Sequence, residues 1–336
     1  MKSAIKYDAS MMKNIYKILL VITIFALSIL SVFAHDFQLQ PRLPNGLTIN
    51  PAGRLFDVGN MPLSAIPAPD GNIVLLLSGF REQGVQVVDP RAGKILQTVP
   101  QASAFLGLIF SSDGKTLYAS GANEDAVYEY SYNAGAVQLS RTLNLKSAEE
   151  TKKGTRYPAG LALSADNQFL YVAENLSDSL AIVDLKSGVV VDRKPAGLYP
   201  YAVVDDDHGM IYVSAWGGNI VTRFKVDGAK ILNSSTLNVA HHPSALLLNS
   251  KTSRLFVTSG TTDSISIINT KTFQVVNTLK DAIPGTKEGS TPNALALSSD
   301  GRRLYVAEAD SNAVAVFEND RLIGRIPVGW YPTALI

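Results

Sequence analysis

From about residue 45 onward the apolar positions fall into short runs separated by polar turns, always in one order. An apolar stretch leads to an Asp-Gly type turn, a second apolar stretch with an aromatic, a polar loop, and a third alternating stretch. The clearest copy, Ala294 to Phe317, reads ALALSSDGRRLYVAEADSNAVAVF. Its Asp300-Gly301 pair suits a tight hairpin, and LYVAE and AVAVF alternate as half-buried strands do. Further copies run from Leu108 to Tyr130, Leu161 to Asp184, Ala202 to Phe224 and Ala245 to Asn269, with a looser one from Ala65 to Asp89. The aromatic of the second run stands at Tyr118, Tyr171, Tyr212, Phe256 and Tyr305.

A second marker closes most units. It reads Val58-Gly59-Asn60-Met61-Pro62, Ala196-Gly197-Leu198-Tyr199-Pro200, Val239-Ala240-His241-His242-Pro243 and Val328-Gly329-Trp330-Tyr331-Pro332, with weaker versions at Gly154 to Pro158 and Gly289 to Pro292. Proline cannot donate to a sheet ladder, so each marker predicts the end of an outer strand and a crossing inward to the next sheet. Strands repeating every 40–50 residues or so match propeller blades, and the 3.6-residue periodicity of helical solenoids is missing. The sequence therefore predicts an all-β propeller of four-stranded blades. Six full units, a leading outer strand around Thr48 to Val58 and a trailing inner-strand fragment from Trp330 to Ile336 predict a seven-bladed architecture with the last blade incomplete. Closure would pair the leading strand with that blade.

The N-terminus has a different character. Lys13 and Lys17 precede an apolar run from Ile18 to Phe33, and Val32-Phe33-Ala34 supplies the small residues of a cleavage site before His35. At about 16 residues the run is short for a membrane span, which needs ~20. It is read as a signal peptide over 1–34, followed by a linker over 35–46 and the propeller over 47–336. The expected location is periplasmic or extracellular, with no membrane span after cleavage. The start codon is open among Met1, Met11 and Met12.

Hydrophobic residues make up 46% of the 336, and Lys plus Arg number 30 against 29 for Asp plus Glu. That balance gives a large core and no net field to gather double-stranded nucleic acid. With no cysteine, disulfides, thiolate metal sites and a cysteine nucleophile are excluded.

The stretches LYVAE, LFVTS, IYVSA and LYASG, each followed by a loop and a strand such as LAIVD or ISIIN, resemble the YVTN-family β-propeller repeat over residues 47–336. The order NGLTINPAGRLFDVGNMPLSAI, PDG, VQVVDPRAGKILQT and GRIPVGWYPTALI is similar to the propeller half of YncE-like proteins that carry a C-terminal alkaline-phosphatase-type phosphoesterase domain. The resemblance implies an accompanying hydrolase domain, and its catalytic residues have no counterparts here. Such sites need a Ser or Thr nucleophile among Asp and His metal ligands. The four histidines are His35, His208, His241 and His242, of which only the last two are adjacent.

No catalytic residue, metal ligand or cofactor is assigned. Neighbouring strand residues point to opposite faces, so His241-His242 reads as a crossing loop rather than a metal pair. Asp205-Asp206-Asp207 occupies a hairpin turn, and Asp70-Gly71, Asp113-Gly114 and Asp300-Gly301 repeat at one turn position, which makes them structural. The crossing loops gather Arg156, Tyr157, Tyr199, His241, His242, Thr291, Trp330 and Tyr331 at one channel mouth, a candidate ring for a small molecule, peptide or protein partner. The opposing reading is that these aromatics cover the crossing prolines. The leading function is a non-catalytic binding module, expected to be monomeric. One alternative is a lactonase-type enzyme with a central metal, for which Glu174, Asn175 and Glu308 are the nearest ligands. A second is single-stranded nucleic-acid binding.

Overall fold

The computed structural model describes residues 50–282 and 289–336. The signal peptide, the linker and the first residues of the propeller range, 47–49, lie outside the described residues. Among the described residues six four-stranded antiparallel sheets follow one another, each an up-and-down meander. They span Pro62–Pro100, Leu108–Asn144, Pro158–Pro195, Pro200–Asn238, Pro243–Lys280 and Pro292–Pro327, and are called blades one to six. Five of the six inner strands start on a predicted crossing proline: Pro62, Pro158, Pro200, Pro243 and Pro292. A strand's first residue is one of the few sheet positions where a missing N–H costs nothing.

The second and third strands are not half-buried. Phe169–Glu174 and Ala313–Glu318 are buried along nearly their whole length, and the two faces of Phe169–Glu174 are covered by blades two and four. The recurring aromatic of the second strand faces the following blade in blades two to five. Tyr118 packs with Leu161 and Val172 of blade three, Tyr171 with Ile211 and Phe224 of blade four, Tyr212 with Val257 of blade five, and Phe256 with Leu304 and Phe317 of blade six. Tyr305, in blade six, is only half-buried.

The expectation of seven blades is corrected to six. No ladder forms in residues 50–61, so the leading segment is not an outer strand. Its backbone bonds to the blades run from Ala52 N to Pro327 O (2.8 Å) and from Ser78 N to Met61 O (2.9 Å), and Val58 packs on the face of blade one that carries Leu75, Leu77 and Val88. Trp330–Ile336 is likewise extended without a ladder, and Thr333 Oγ1 donates to Pro62 O. Both segments follow an exposed blade surface, and neither has a middle strand beside it with which to share hydrogen bonds.

Each outer strand carries one register shift. The unpaired residues are Leu96, Ser140, Val191, Leu232, Val276 and Ile323. A bulge at this position bends the free edge and disfavours pairing with another chain.

The crossings are held by a recurrent acceptor in the preceding blade. Asp125, Asp178 and Asp263 each follow a 3-10 turn in the left-handed conformation. Asp125 accepts from the backbone N–H groups of Thr155, Arg156 and Tyr157 at 3.2, 2.8 and 3.0 Å. Asp178 takes Tyr199 N at 2.9 Å, Asp263 takes Ser290 N and Thr291 N at 2.8 and 3.2 Å, and Asn312 takes Tyr331 N at 2.9 Å. The residue before each crossing proline, Met61, Tyr157, Tyr199, His242, Thr291 or Tyr331, has a φ of 49–55°. Left-handed backbone is unfavourable for side chains of this size, so the acceptors hold a strained turn.

Burial by itself would raise the pKa of Asp125; the three N–H donors outweigh it and hold the carboxyl below the ordinary range. Replacing Asp125 by Ala strands three donors near a fully buried position. We expect a loss of roughly 2–4 kcal/mol in urea unfolding, with Asp125→Asn losing less because one acceptor oxygen remains. Equal stability of Asp125→Ala and the parent chain would count against the role assigned to this carboxyl.

Candidate functional site

Near the axis the inner strands crowd unequally. A Cβ on Gly107 would lie 2.2 Å from Ala159 O, and one on Gly160 would lie 2.5 Å from Tyr201 O. Blades two, three and four therefore close tightly on one another through glycine. On the opposite side, blades four, five, six and one leave a cavity of about 800 Å³, completed by Tyr331, Thr333, Ala334 and Leu335 of the trailing segment. Blade two contributes Leu106 from the approach to its inner strand, and blade three contributes no lining residue.

The residue that follows each crossing proline largely sets the wall chemistry. Ser244 and Asn293 stand there in blades five and six, Tyr201 in blade four, Leu63 in blade one and Thr333 in the trailing segment. Ser244 Oγ is engaged with Thr258 Oγ1 at 2.8 Å, whereas Asn293 Oδ1 is buried without a hydrogen-bond partner among the described residues. Burial raises the Tyr201 hydroxyl pKa, with smaller contributions from Tyr331 and Tyr157, so it stays protonated at neutral pH. At the rim the Trp216 and His242 rings lie 5.0 Å apart, and His242 Nδ1 is 2.9 Å from Thr261 Oγ1. None of the described lining residues is Asp, Glu, Lys or Arg.

Of the eight ring candidates, His242, Thr291 and Tyr331 line this cavity. The other five lie outside its lining. Tyr157 packs edge-on against Phe105 at 5.4 Å, and Phe105 in turn meets Tyr201 at 5.7 Å. Arg156 pairs with Glu150. Tyr199 and Trp330 are exposed, at 44% and 66%, and His241 is exposed beside His242 with ring centres 6.3 Å apart. Tyr201, Trp216, Ser244, Asn293 and Thr333 were not singled out from the sequence. The available signal was their offset from the crossing proline or, for Trp216, its place directly after the second strand.

The three residues considered for a central metal do not converge. Glu174 is fully buried and bonded twice by Arg193, at 2.6 and 2.7 Å. Both Glu308 oxygens accept from Arg325 Nε, at 2.7 and 2.9 Å, and Asn175 Nδ2 donates to Pro200 O at 3.0 Å. Each Arg also donates to a crossing carbonyl, Arg193 to Leu145 O and Arg325 to Asp281 O, both at 2.8 Å. The two pairs are equivalent ties between blades, and no described carboxylate faces the cavity, so these residues do not fit a shared metal. Among the described residues no group of three or more His, Asp or Glu is placed to hold one. The Asp205-Asp206-Asp207 carboxylates serve their own turn, with Asp206 Oδ1 accepting from His208 N and Met210 N at 2.8 and 2.9 Å.

The fold and site together define a six-bladed β-propeller with a cavity of mixed polar and apolar lining, free of Asp, Glu, Lys and Arg among the described residues, on its axis. By sequence the chain is a homologue of YncE. It is 27% identical to the YncE proteins of Salmonella typhimurium and Salmonella typhi over 281 residues, covering 79% of this chain and 68% of each relative. Residues 141–261 match the pattern of the SMP-30/Gluconolactonase/LRE-like region. Two solved structures share the fold at low identity. The periplasmic gluconolactonase of Pseudomonas aeruginosa matches with TM-score 0.65 and 17% identity, covering 82% of this chain and 88% of that one. A putative 6-phosphogluconolactonase from Bacteroides fragilis matches with TM-score 0.66 and 16% identity, covering 81% and 86%.

One buried carboxyl near this side of the propeller has no acidic counterpart in the other blades. Asp281 occupies the position that Leu145 and Ala196 fill in blades two and three. Its Oδ2 accepts from Ser290 Oγ at 3.2 Å, while Oδ1 has no hydrogen-bond partner and lies 3.9 Å from Arg325 Nη2. Burial, followed by the charge of neighbouring Glu308, pushes Asp281 up to about 8 from 3.8. Between these values the folded chain holds a proton that the unfolded chain releases, so the Asp281 contribution to stability falls as pH rises from about 4 to about 8. Asp281→Leu is expected to be increasingly more stable than the parent chain over that window. Urea unfolding of both proteins at pH 5, 6.5 and 8 tests this, and a pH-independent difference would refute it.

Proposed function

We propose that this protein is a non-catalytic binding module whose ligand occupies the axial cavity, and that it acts after export. The observation carrying the binding reading is the desolvated, unpartnered Asn293 Oδ1 in a wall where hydroxyls and aromatic rings are set among Leu, Ala, Met and Pro side chains. A buried acceptor without a partner costs about 1–3 kcal/mol, and turning the amide to meet a ligand donor removes that cost. Export is supported by Lys13, Lys17, the apolar run Ile18 to Phe33 and the Val32-Phe33-Ala34 site. Partnership with a phosphoesterase domain rests on the sequence resemblance to two-domain YncE-like proteins, and no described residue supplies that chemistry.

Lactone hydrolysis is the second reading, favoured by the gluconolactonase-type match over residues 141–261. The Arg-bound state of Glu174 and Glu308 weighs against it. Nucleic-acid binding in the cavity lacks support because no described cationic side chain lines it.

The test is a ligand-observed NMR screen of the full chain beside Ala245→Trp, which places a bulky ring in the cavity. Binders lost in Ala245→Trp are expected, and at a hundredfold excess over Kd each should stabilise the parent chain by ~2.7 kcal/mol. A binder set unaffected by the substitution would remove the cavity from the account. Divalent metal that raises the melting temperature together with turnover of a sugar lactone would transfer the case to the second reading.

A further inference from the structure

We propose that the cavity ligand is an uncharged saccharide. This rests on the axial cavity being the binding site and adds the chemical class of its occupant. The volume, about 800 Å³, lies within the range that encloses small molecules. With no Asp, Glu, Lys or Arg among the described lining residues, an ionised ligand would give up its hydration without meeting an opposite charge. Phosphates, carboxylates and ammonium groups are therefore poor matches.

The polar groups that are present suit hydroxyls. Asn293 offers an acceptor and two donors on one amide, the combination that meets two neighbouring sugar hydroxyls, each able to donate and accept. Its Oδ1 has no partner among the described residues, and Tyr201 lines the same wall. Trp216 and Tyr331 remain 43% and 46% exposed at the cavity, although rings of this size are usually well buried. Such rings supply flat apolar faces for the C–H side of a pyranose while their polar tips stay available. A neutral peptide shares the amide chemistry. However, peptides are commonly read by a row of strand N–H and C=O groups or by a continuous groove. Here the free groups are separate side chains from blades four and six and the trailing segment, an arrangement suited to hydroxyls spread around a ring.

The full chain is titrated by calorimetry and tryptophan fluorescence with glucose, galactose, mannose, N-acetylglucosamine, maltose and cellobiose. Gluconate, an oligo-dT strand and tetra-alanine serve as comparators. We expect at least one neutral sugar to bind with a change in Trp216 emission that persists in Trp330→Phe. Asn293→Ala should weaken binding at least tenfold with its melting curve intact, and raising salt from 50 to 500 mM should leave the affinity unchanged. Tyr331→Ala, at an exposed position, gives a second variant with little risk to folding. Failure of every sugar to bind overturns the proposal. Asn293-dependent binding of a comparator alone overturns the saccharide while leaving the cavity as the site. Sugar binding that ignores both Asn293→Ala and Tyr331→Ala overturns the proposal and the cavity reading together.

Discussion

Everything in this propeller depends on covering both faces of each blade. A four-stranded sheet with apolar residues on its two sides cannot be stable alone, and here blades two to five have a neighbouring blade on each face, while blade one takes Val58 of the leading segment on its free side. The aromatic of the second strand is the most regular part of that contact, since Tyr118, Tyr171, Tyr212 and Phe256 all pack toward the next blade. Burial on both faces also explains why the middle strands are nearly continuous in their apolar character, whereas outer strands such as Val189–Pro195 mix exposed and half-buried positions.

Stacking alone leaves the angle between blades open, and the crossing loops fix it. An acidic or amide side chain after each of four 3-10 or turn segments reaches across and binds the backbone of the following crossing. It thereby stabilises a left-handed residue directly before a proline or, for Asp125, a run of three N–H groups. The Glu174–Arg193 and Glu308–Arg325 pairs reinforce the same joints from within, because each guanidinium also binds a crossing carbonyl. Buried, doubly hydrogen-bonded ion pairs of this kind specify geometry more dependably than they add stability. That use of the two glutamates explains why they are unavailable as ligands at the axis.

The cavity is a consequence of unequal crowding. Glycines at 107 and 160 let blades two to four approach closely, while Ser244, Asn293 and the trailing Thr333 occupy a wall that opens away from that contact. Its neutrality follows from the same architecture. Several charged residues of the crossings are held by backbone capping and by ties between blades, and the positions that reach the cavity carry hydroxyl, amide, imidazole, aromatic and aliphatic groups.

The sequence by itself determined the repeating strand order, the Asp-Gly type hairpins and the crossing prolines, because each follows from local backbone chemistry. Ser111 with Asp113, and Ser298 with Asp300, close their turns through contacts only a few residues apart. Asp125, Asp178, Asp263 and Asn312 stood at one offset before the third strand, but their partners lie 19 to 32 residues away, so their role was not visible in the local pattern. Tertiary structure alone decided the number of blades, since Thr48 to Val58 and Trp330 to Ile336 have strand-like composition and the described residues in them lack a ladder partner. It also decided which side chains reach the axis. His242 and Tyr331 line the cavity while the adjacent His241 and Trp330 do not, a difference set by left-handed backbone at a crossing and by how closely two neighbouring blades can approach.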